Sequence, residues 1–209
     1  MAERDFLTPE AKEAVQRAAA DAEAFTSAEI VVAVRSVSGR YREADYLFGF
    51  LVALLALLAL LYLPQVFPLW VFVPDVAAAF LLGTVASSRS AALRRWLTPE
   101  RALRDNVRRS ARAAFVDARY SRLPGRNAVL VYVALLERHV EVVADLGIRD
   151  TALEPAWSQV RVALDESLRP KPDIDRFLAA LRRLGALLGR EHPRLANDVN
   201  ELPDAVHAP

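Results

Sequence analysis

The sequence predicts an α/β protein: an α-β-α layered domain with a mixed sheet, interrupted after its first strand by a two-helix membrane hairpin. Three observations carry this. Residues 47–63, LFGFLVALLALLALLYL, contain no charge, and beyond PQVFP a second apolar run, 69–86, carries only Asp75. Three short β-rich segments follow strand patterns, two of them apolar on both faces. Amphipathic helical periodicity recurs before, between and after those segments.

At a rise of ~1.5 Å per residue, the first apolar run spans ~26 Å as a helix, close to the thickness of a bilayer's hydrocarbon core. About 170 other residues of mostly amphipathic sequence are a poor supply of cover for a buried soluble hairpin. Arg35, Arg40 and Arg42 precede the first span, and Arg89, Arg94, Arg95, Arg101 and Arg104 follow the second, while the connecting PQVFP has no Lys or Arg. The positive-inside rule then places both chain ends and the soluble domain in the cytoplasm and the turn outside. Tyr46, Tyr62 and Trp70 stand near span ends, where aromatic rings favour the headgroup region. Asp75, directly after Pro74, lies about six residues from the outer end of its span; a carboxylate there snorkels to the interface or meets a partner helix.

The rest of the composition sets limits. The 209 residues leave room for one domain of roughly 150 residues besides the hairpin. The first part of that domain is expected at 1–40, the hairpin at 46–87, the second part at 95–190, and a disordered tail at 193–209. A net charge of +1 hides a local excess of Arg beside the membrane, which favours anionic lipid and argues little for nucleic acid. With no cysteine, disulfides, thiol nucleophiles and thiolate metal sites are excluded. The charged start, MAERDFLTPE, has no apolar stretch of the kind a cleaved signal peptide needs.

Thr8-Pro9-Glu10 supplies an N-cap, a first helical residue and a first-turn acid. Ala11, Val15, Ala18, Ala22 and Phe25 continue at helical spacing, predicting a helix over 9–24. Glu29 to Val34 reads as a central strand, and 35–45 as a polar stalk. Leu97-Thr98-Pro99-Glu100 repeats the Leu7-Thr8-Pro9-Glu10 letters and predicts the same capping chemistry. Leu103, Val107, Ala111, Ala114 and Phe115 then form the apolar stripe of a helix whose other face carries Arg101, Arg104, Arg108, Arg109 and Arg112. That face is either solvated or pressed against anionic headgroups. AVLVYVA, 128–134, is a second strand buried on both faces; Glu137-Arg138 makes a tight turn into a third, 139–144, completing an antiparallel hairpin. Gly147 lends backbone freedom to the exit from that strand. Leu153, Trp157, Val160, Leu164 and Leu168 mark another helix, and Pro172-Asp173 opens the last, with Ile174, Phe177, Leu178, Leu181, Leu184 and Leu188 inward.

Ser27-Ala28-Glu29-Ile30-Val31-Val32 after a capped helix, together with NAVLVYVALLERHVEVVADLGI over 127–148, resembles the TPM domain family. That family includes a thylakoid-lumen protein of photosystem II repair and many bacterial membrane-associated members, some with a transmembrane pair inserted in the domain. The similarity covers nearly all of the soluble sequence, with Ala28 standing where the family usually has Gly. It implies a three-layer TPM-like fold and a membrane-anchored interaction or accessory module, working with a membrane-protein partner or with copies of itself. The alternative it implies is a metal-dependent, acid phosphatase-like hydrolase using a divalent cation such as Ca²⁺ or Mg²⁺.

The candidate ligands are Asp145, Glu29 and Asp150, because hard cations take several oxygens and Asp145 sits where a strand gives way to a Gly-bearing loop. Asp145 serves equally well as the anchor of its own loop through backbone N–H groups. Asp173-Ile174-Asp175 follows Pro172 and reads as helix capping. Asp165-Glu166 reads as a solvated helix pair, His139 as a surface residue, and His192 and His207 as tail residues. The chain has no Gly-rich phosphate loop, no cysteine-based phosphatase loop and no His-Glu zinc motif.

Overall fold

The computed structural model describes residues 6–64, 67–118, 125–148 and 154–194. The elements among them are α1 (Pro9–Glu23), β1 (Glu29–Arg35), α2 (Arg42–Tyr62), α3 (Leu69–Arg89), α4 (Ala91–Leu97), α5 (Glu100–Asp117), β2 (Ala128–Ala134), β3 (His139–Ala144), α6 (Ala156–Glu166) and α7 (Ile174–Glu191). They divide into two compact units, one of residues 1–38 with 104–209 and one of residues 39–103. The chain is thus a mixed α/β protein with seven helices and a three-stranded sheet among the described residues.

In the α/β unit, β1 runs parallel to β2 with Glu29 beside Ala128 and Arg35 beside Ala134, and β2 runs antiparallel to β3 with Val129 beside Ala144. A parallel pair needs a long crossover, and here everything from Ser36 to Asn127 lies between the two strands. The period-2 alternation of the strands divides their side chains between two cores. Ile30, Val32, Val34, Val129, Val131, Val133, Val140 and Val142 pack with residues of α1, α6 and α7. Val31, Ala33, Leu130, Tyr132 and Ala134 pack with Val107, Ala111 and Phe115 of α5. Both strands predicted to be buried on two faces are packed on both, but β1, expected to be central, stands at an edge of the sheet, in the order β1-β2-β3.

α1 begins as its letters require, with Thr8 Oγ1 accepting from Ala11 N–H at 3.2 Å. Its apolar stripe ends earlier than predicted: Phe25 is 71% exposed, and the bulky ring in that core is Phe6, meeting Phe177 edge to face at 5.7 Å between centroids. Where α1 meets α7 the backbones lie close, since a Cβ on Gly185 would come within 2.4 Å of Ala22 Cβ. At the chain's far end the carbonyl of His192 accepts from Ser27 N–H at 3.0 Å and Thr26 Oγ1 at 2.8 Å. Pro193 forms a bridge with Thr26. His192 and Pro193 therefore hold the entry to β1 rather than starting a free tail; residues 195–209, with His207, lie outside the described residues.

The β2–β3 connection takes four residues, 135–138, rather than Glu137-Arg138 alone, since Ala134 pairs with His139; Arg138 is in the left-handed region at φ 51°. Glu137, 4% exposed, accepts from Ser38 N–H at 2.8 Å and so fixes the path of the chain leaving β1. Gly147 has a different reason from the one its residue type suggested. Among the described glycines none has a positive φ; instead, a Cβ at 147 would lie 2.6 Å from the Arg126 carbonyl oxygen. Its own N–H donates to that oxygen at 3.0 Å.

The second unit holds two helices long and apolar enough to cross a membrane, α2 and α3. They pack closely where Gly49 meets Phe80 and Thr84 and where Gly83 meets Gly49 and Val52. The predicted stalk is partly helix: α2 starts at Arg42, taking Glu43, Ala44 and Asp45 into its first turn. Those polar residues are tolerated because Asp45 is satisfied from elsewhere in the unit. Arg94 reaches it with Nε 3.0 Å from Oδ1 and Nη2 2.7 Å from Oδ2, and Ser87 Oγ donates to Oδ1 at 2.9 Å. Arg94 lies on α4, a seven-residue helix not expected from the sequence, capped by Ser90 accepting from Leu93 N–H at 3.3 Å. The letters Thr98-Pro99-Glu100 do not repeat the chemistry of Thr8. Thr98 is the C-cap of α4, and its Oγ1 is buried without a hydrogen-bond partner among the described residues.

Candidate functional site

Glu29 and Asp145, two of the predicted metal ligands, lie at one end of the sheet on either side of the start of β2. Glu29 N–H donates to Asn127 O at 3.1 Å and Asp145 N–H to Ala128 O at 2.9 Å. Both side chains are buried, at 8% and 5% exposure. Asp145 Oδ1 accepts from Leu146 N–H at 2.7 Å and lies 3.7 Å from Arg126 Nη1, so this oxygen anchors its own loop. Its Oδ2 is buried without a hydrogen-bond partner among the described residues. Asp150 lies outside the described residues. Among the described residues no group of three His, Cys, Asp or Glu side chains is placed to hold a metal ion. Asp173 does what capping predicts, accepting from Arg176 N–H at 3.1 Å.

His139 and Asp165, expected to face solvent, are partly buried partners. His139, at the start of β3, places Nδ1 against Asp165 Oδ1 and Nε2 3.6 Å from Glu141 Oε2. Asp165, near the end of α6, also accepts from Val140 N–H at 3.1 Å, and Arg169 Nη2 lies 3.5 Å from its Oδ2. Arg108 of α5 is 3.9 Å from Glu141. The cluster pins the edge strand β3 to α6 and charges the α5 side of the same strand. Asp165 is 26 positions from His139, so no local pattern announces the pair.

Burial draws the His139 pKa down, but its bonding to Asp165 and then Glu141 outweighs burial and holds it above 6.5. Burial likewise raises both acids, yet His139 first, helped by Arg161 and Arg108 for Glu141 and by Val140 N–H and Arg169 for Asp165, carries them below their ordinary values. A base raised in the folded state stabilises fully below its unfolded pKa and loses that contribution as pH rises through the folded one. The lowered acids stabilise above their unfolded values and lose that as pH falls through the folded ones. The cluster therefore contributes most between about pH 4.5 and 6.5. We expect the urea midpoint of the α/β unit to fall as pH rises from 6 to 9, and His139→Gln to flatten that fall. An unchanged slope in the variant would assign the pH dependence elsewhere.

The residues predicted to meet a membrane are arranged along their helices as follows. Tyr46 on α2 is 53% exposed and stacks on Phe80 of α3 at 6.3 Å. Trp70 at the start of α3 is 76% exposed and Tyr62 at the end of α2 82%. Asp75 lies on the exposed side of α3, and Arg101, Arg104, Arg108, Arg109 and Arg112 share the exposed side of α5. One feature here had no signal in the sequence: a groove of about 370 Å³ between α5 and the β1–β2 face, lined by Arg35, Ser110, Asp117 and Tyr132 above an alanine-rich floor.

This geometry defines the class: a mixed α/β unit whose first crossover carries two long apolar helices. The solved structure of the BA42 protein from the psychrophilic bacterium Bizionia argentinensis resembles it with a TM-score of 0.58 at 18% identity, over 95% of this chain and 92% of that one. At that identity the likeness is one of fold. No family model and no curated protein matches the sequence.

Proposed function

We propose that the chain is a membrane-anchored interaction or accessory module, with α2 and α3 crossing a bacterial inner membrane and a TPM-like three-layer α/β domain in the cytoplasm. The observation that carries this is the outward surface of the two apolar helices. Phe50, Leu55, Leu61, Val73, Leu81 and Leu82 are each 58–78% exposed, which is far more contiguous apolar surface than a water-facing protein leaves bare. Lipid tails are the solvent such a surface fits. The aromatic residues at the helix ends and the Arg content of the flanks agree with that placement. Two crossings return the chain to the side it left, which is what a parallel β1–β2 pair split by the hairpin requires.

In this reading the α5 arginines face anionic headgroups, and the apolar helices engage a membrane-protein partner or a second copy. A metal-dependent hydrolase is the less favoured reading. One Asp145 oxygen is occupied by its own loop, and a guanidinium 3.7 Å away disfavours a cation there.

The absence of cysteine makes topology directly measurable. In intact spheroplasts a membrane-impermeant maleimide is expected to label Leu69→Cys at the start of α3, beside the inter-helix turn. It is expected to reach Arg112→Cys on α5 only after permeabilisation. Labelling of Arg112→Cys in intact cells would reverse the orientation, and extraction of the whole chain by alkaline carbonate would remove the membrane reading.

A further inference from the structure

The α5 groove holds charge of both signs that no side chain among the described residues pairs with. Arg35 ends β1 on the same face as Val31 and Ala33, and Tyr132 stands beside Ala33 in the register. Opposite them, Ser110, Ala113, Ala114 and Asp117 recur at three- and four-residue spacing along α5, so they share one side of the helix. Ser110 is already committed, its Oγ donating to the Ser38 carbonyl at 2.7 Å. The hydroxyl of Tyr132, the guanidinium of Arg35 and the carboxylate of Asp117 have no side-chain partner among the described residues. Tyr132 is only 4% exposed, yet its hydroxyl is not among the buried, unsatisfied groups, so it opens on the groove it lines. Such a volume falls in the range of small-molecule sites. It stays open because Ala113 and Ala114 of α5, and Ala118 just after it, stand where a larger side chain would close the gap.

We propose that this groove binds a small zwitterion, its carboxylate or phosphate held by Arg35 and Tyr132 and its ammonium by Asp117. A guanidinium presents a planar fork of donors that matches either anion, and the phenol adds a further donor. An ionised Asp is an acceptor only, and the Ser110 hydroxyl, its O–H already donating to the Ser38 carbonyl, presents lone pairs on the same helix. A singly charged ligand leaves one of the two free charges without a complement; a zwitterion meets both. Ala33, Leu130 and Ala114 provide an apolar floor for the short carbon chain joining the two ends. The site lies wholly in the α/β unit and stands whether or not α2 and α3 cross a bilayer.

The test is calorimetric titration of the detergent-solubilised full chain with O-phosphoethanolamine and with β-alanine, beside inorganic phosphate, acetate and ethylamine. The expected result is saturable one-to-one binding of at least one zwitterion, tenfold or more tighter than its singly charged pieces. Arg35→Gln and Asp117→Asn should each weaken it at least tenfold, and Tyr132→Phe more modestly. Ala113→Phe should abolish it: Ala113 is exposed, so the added ring enters the groove and not the core, and an unchanged far-UV spectrum confirms the fold. The proposal is overturned if neither zwitterion binds, if the pieces bind as well as the whole, or if binding survives in Ala113→Phe. Repeating the titration in phosphatidylglycerol nanodiscs with and without phosphatidylethanolamine separates the sources. Suppression of free phosphoethanolamine binding by the lipid assigns the site to a headgroup, and undiminished binding assigns it to a soluble metabolite.

Discussion

Arg94→Ala is expected to destabilise the helical unit by about 3 kcal/mol, and Asp45→Ala by distinctly less. The asymmetry follows from where the two charges sit. The Asp45 side chain is 6% exposed and that of Arg94 21%. Removing Arg94 strands a carboxylate that keeps one bond from Ser87 and little access to water. Removing Asp45 leaves a long side chain that swings its guanidinium to solvent or to headgroups, as arginines at interfaces do. The figure is at the low end for a broken buried pair because Arg94 is not fully enclosed. Since Asp45 is on α2, Ser87 on α3 and Arg94 on α4, the loss loosens all three helices together. The double variant Asp45→Ala/Arg94→Ala should therefore cost less than the sum of its parts. Unfolding in mixed micelles with rising dodecyl sulfate measures this; equal effects of the two single variants would rule out a stranded acid as the cause.

Local rules reached those parts of the fold whose partners are close in sequence or whose pattern does not depend on a particular partner. AVLVYVA and HVEVVA appear as strands with the predicted bounds because alternation and β-branching need only some core on each face. Asp173 caps α7 because the N–H it serves is three residues away. The same logic failed when a distant group decided the outcome. Nothing near Asp45 says that it belongs inside a helix; Arg94, 49 positions on, says so.

Thr8 and Thr98 share their neighbours and part company because α4 ends at Leu97 and takes Thr98 as its own C-cap. His139 and Asp165 meet only once α6 has packed beside the edge strand. The groove is a matter of absence: alanines at 113 and 114 look like good helix formers, and only the helix-to-sheet separation turns them into a cavity. Glu29 and Asp145, expected as metal ligands, lie at one end of the sheet. Their roles depend on side-chain directions that spacing does not encode.

Phe177→Ala is expected to cost about 3–5 kcal/mol, the largest effect of any single truncation in the α/β unit. Phe177 is 0% exposed, on the inner face of α7, and Phe6 beside it is 1% exposed. Truncation loses the transfer free energy of the ring, the edge-to-face contact with Phe6 and the packing of whatever fails to collapse into the void. Collapse is hindered here. α7 is already held against α1 at Gly185, where Ala22 stands too near for even a methyl group, so the helix has little room to shift inward. Phe177→Leu retains much of the volume and should cost well under half as much. For a domain of typical marginal stability the alanine variant removes a large share of the folding free energy, and it should appear as a lower urea midpoint with unchanged m. If Phe6→Ala alone cost as much as Phe177→Ala, and the double variant no more than either, the two rings would act as one unit. A small loss in Phe177→Ala would mean that the α1–α7 layer is free to close over the gap, contrary to the contact at Gly185.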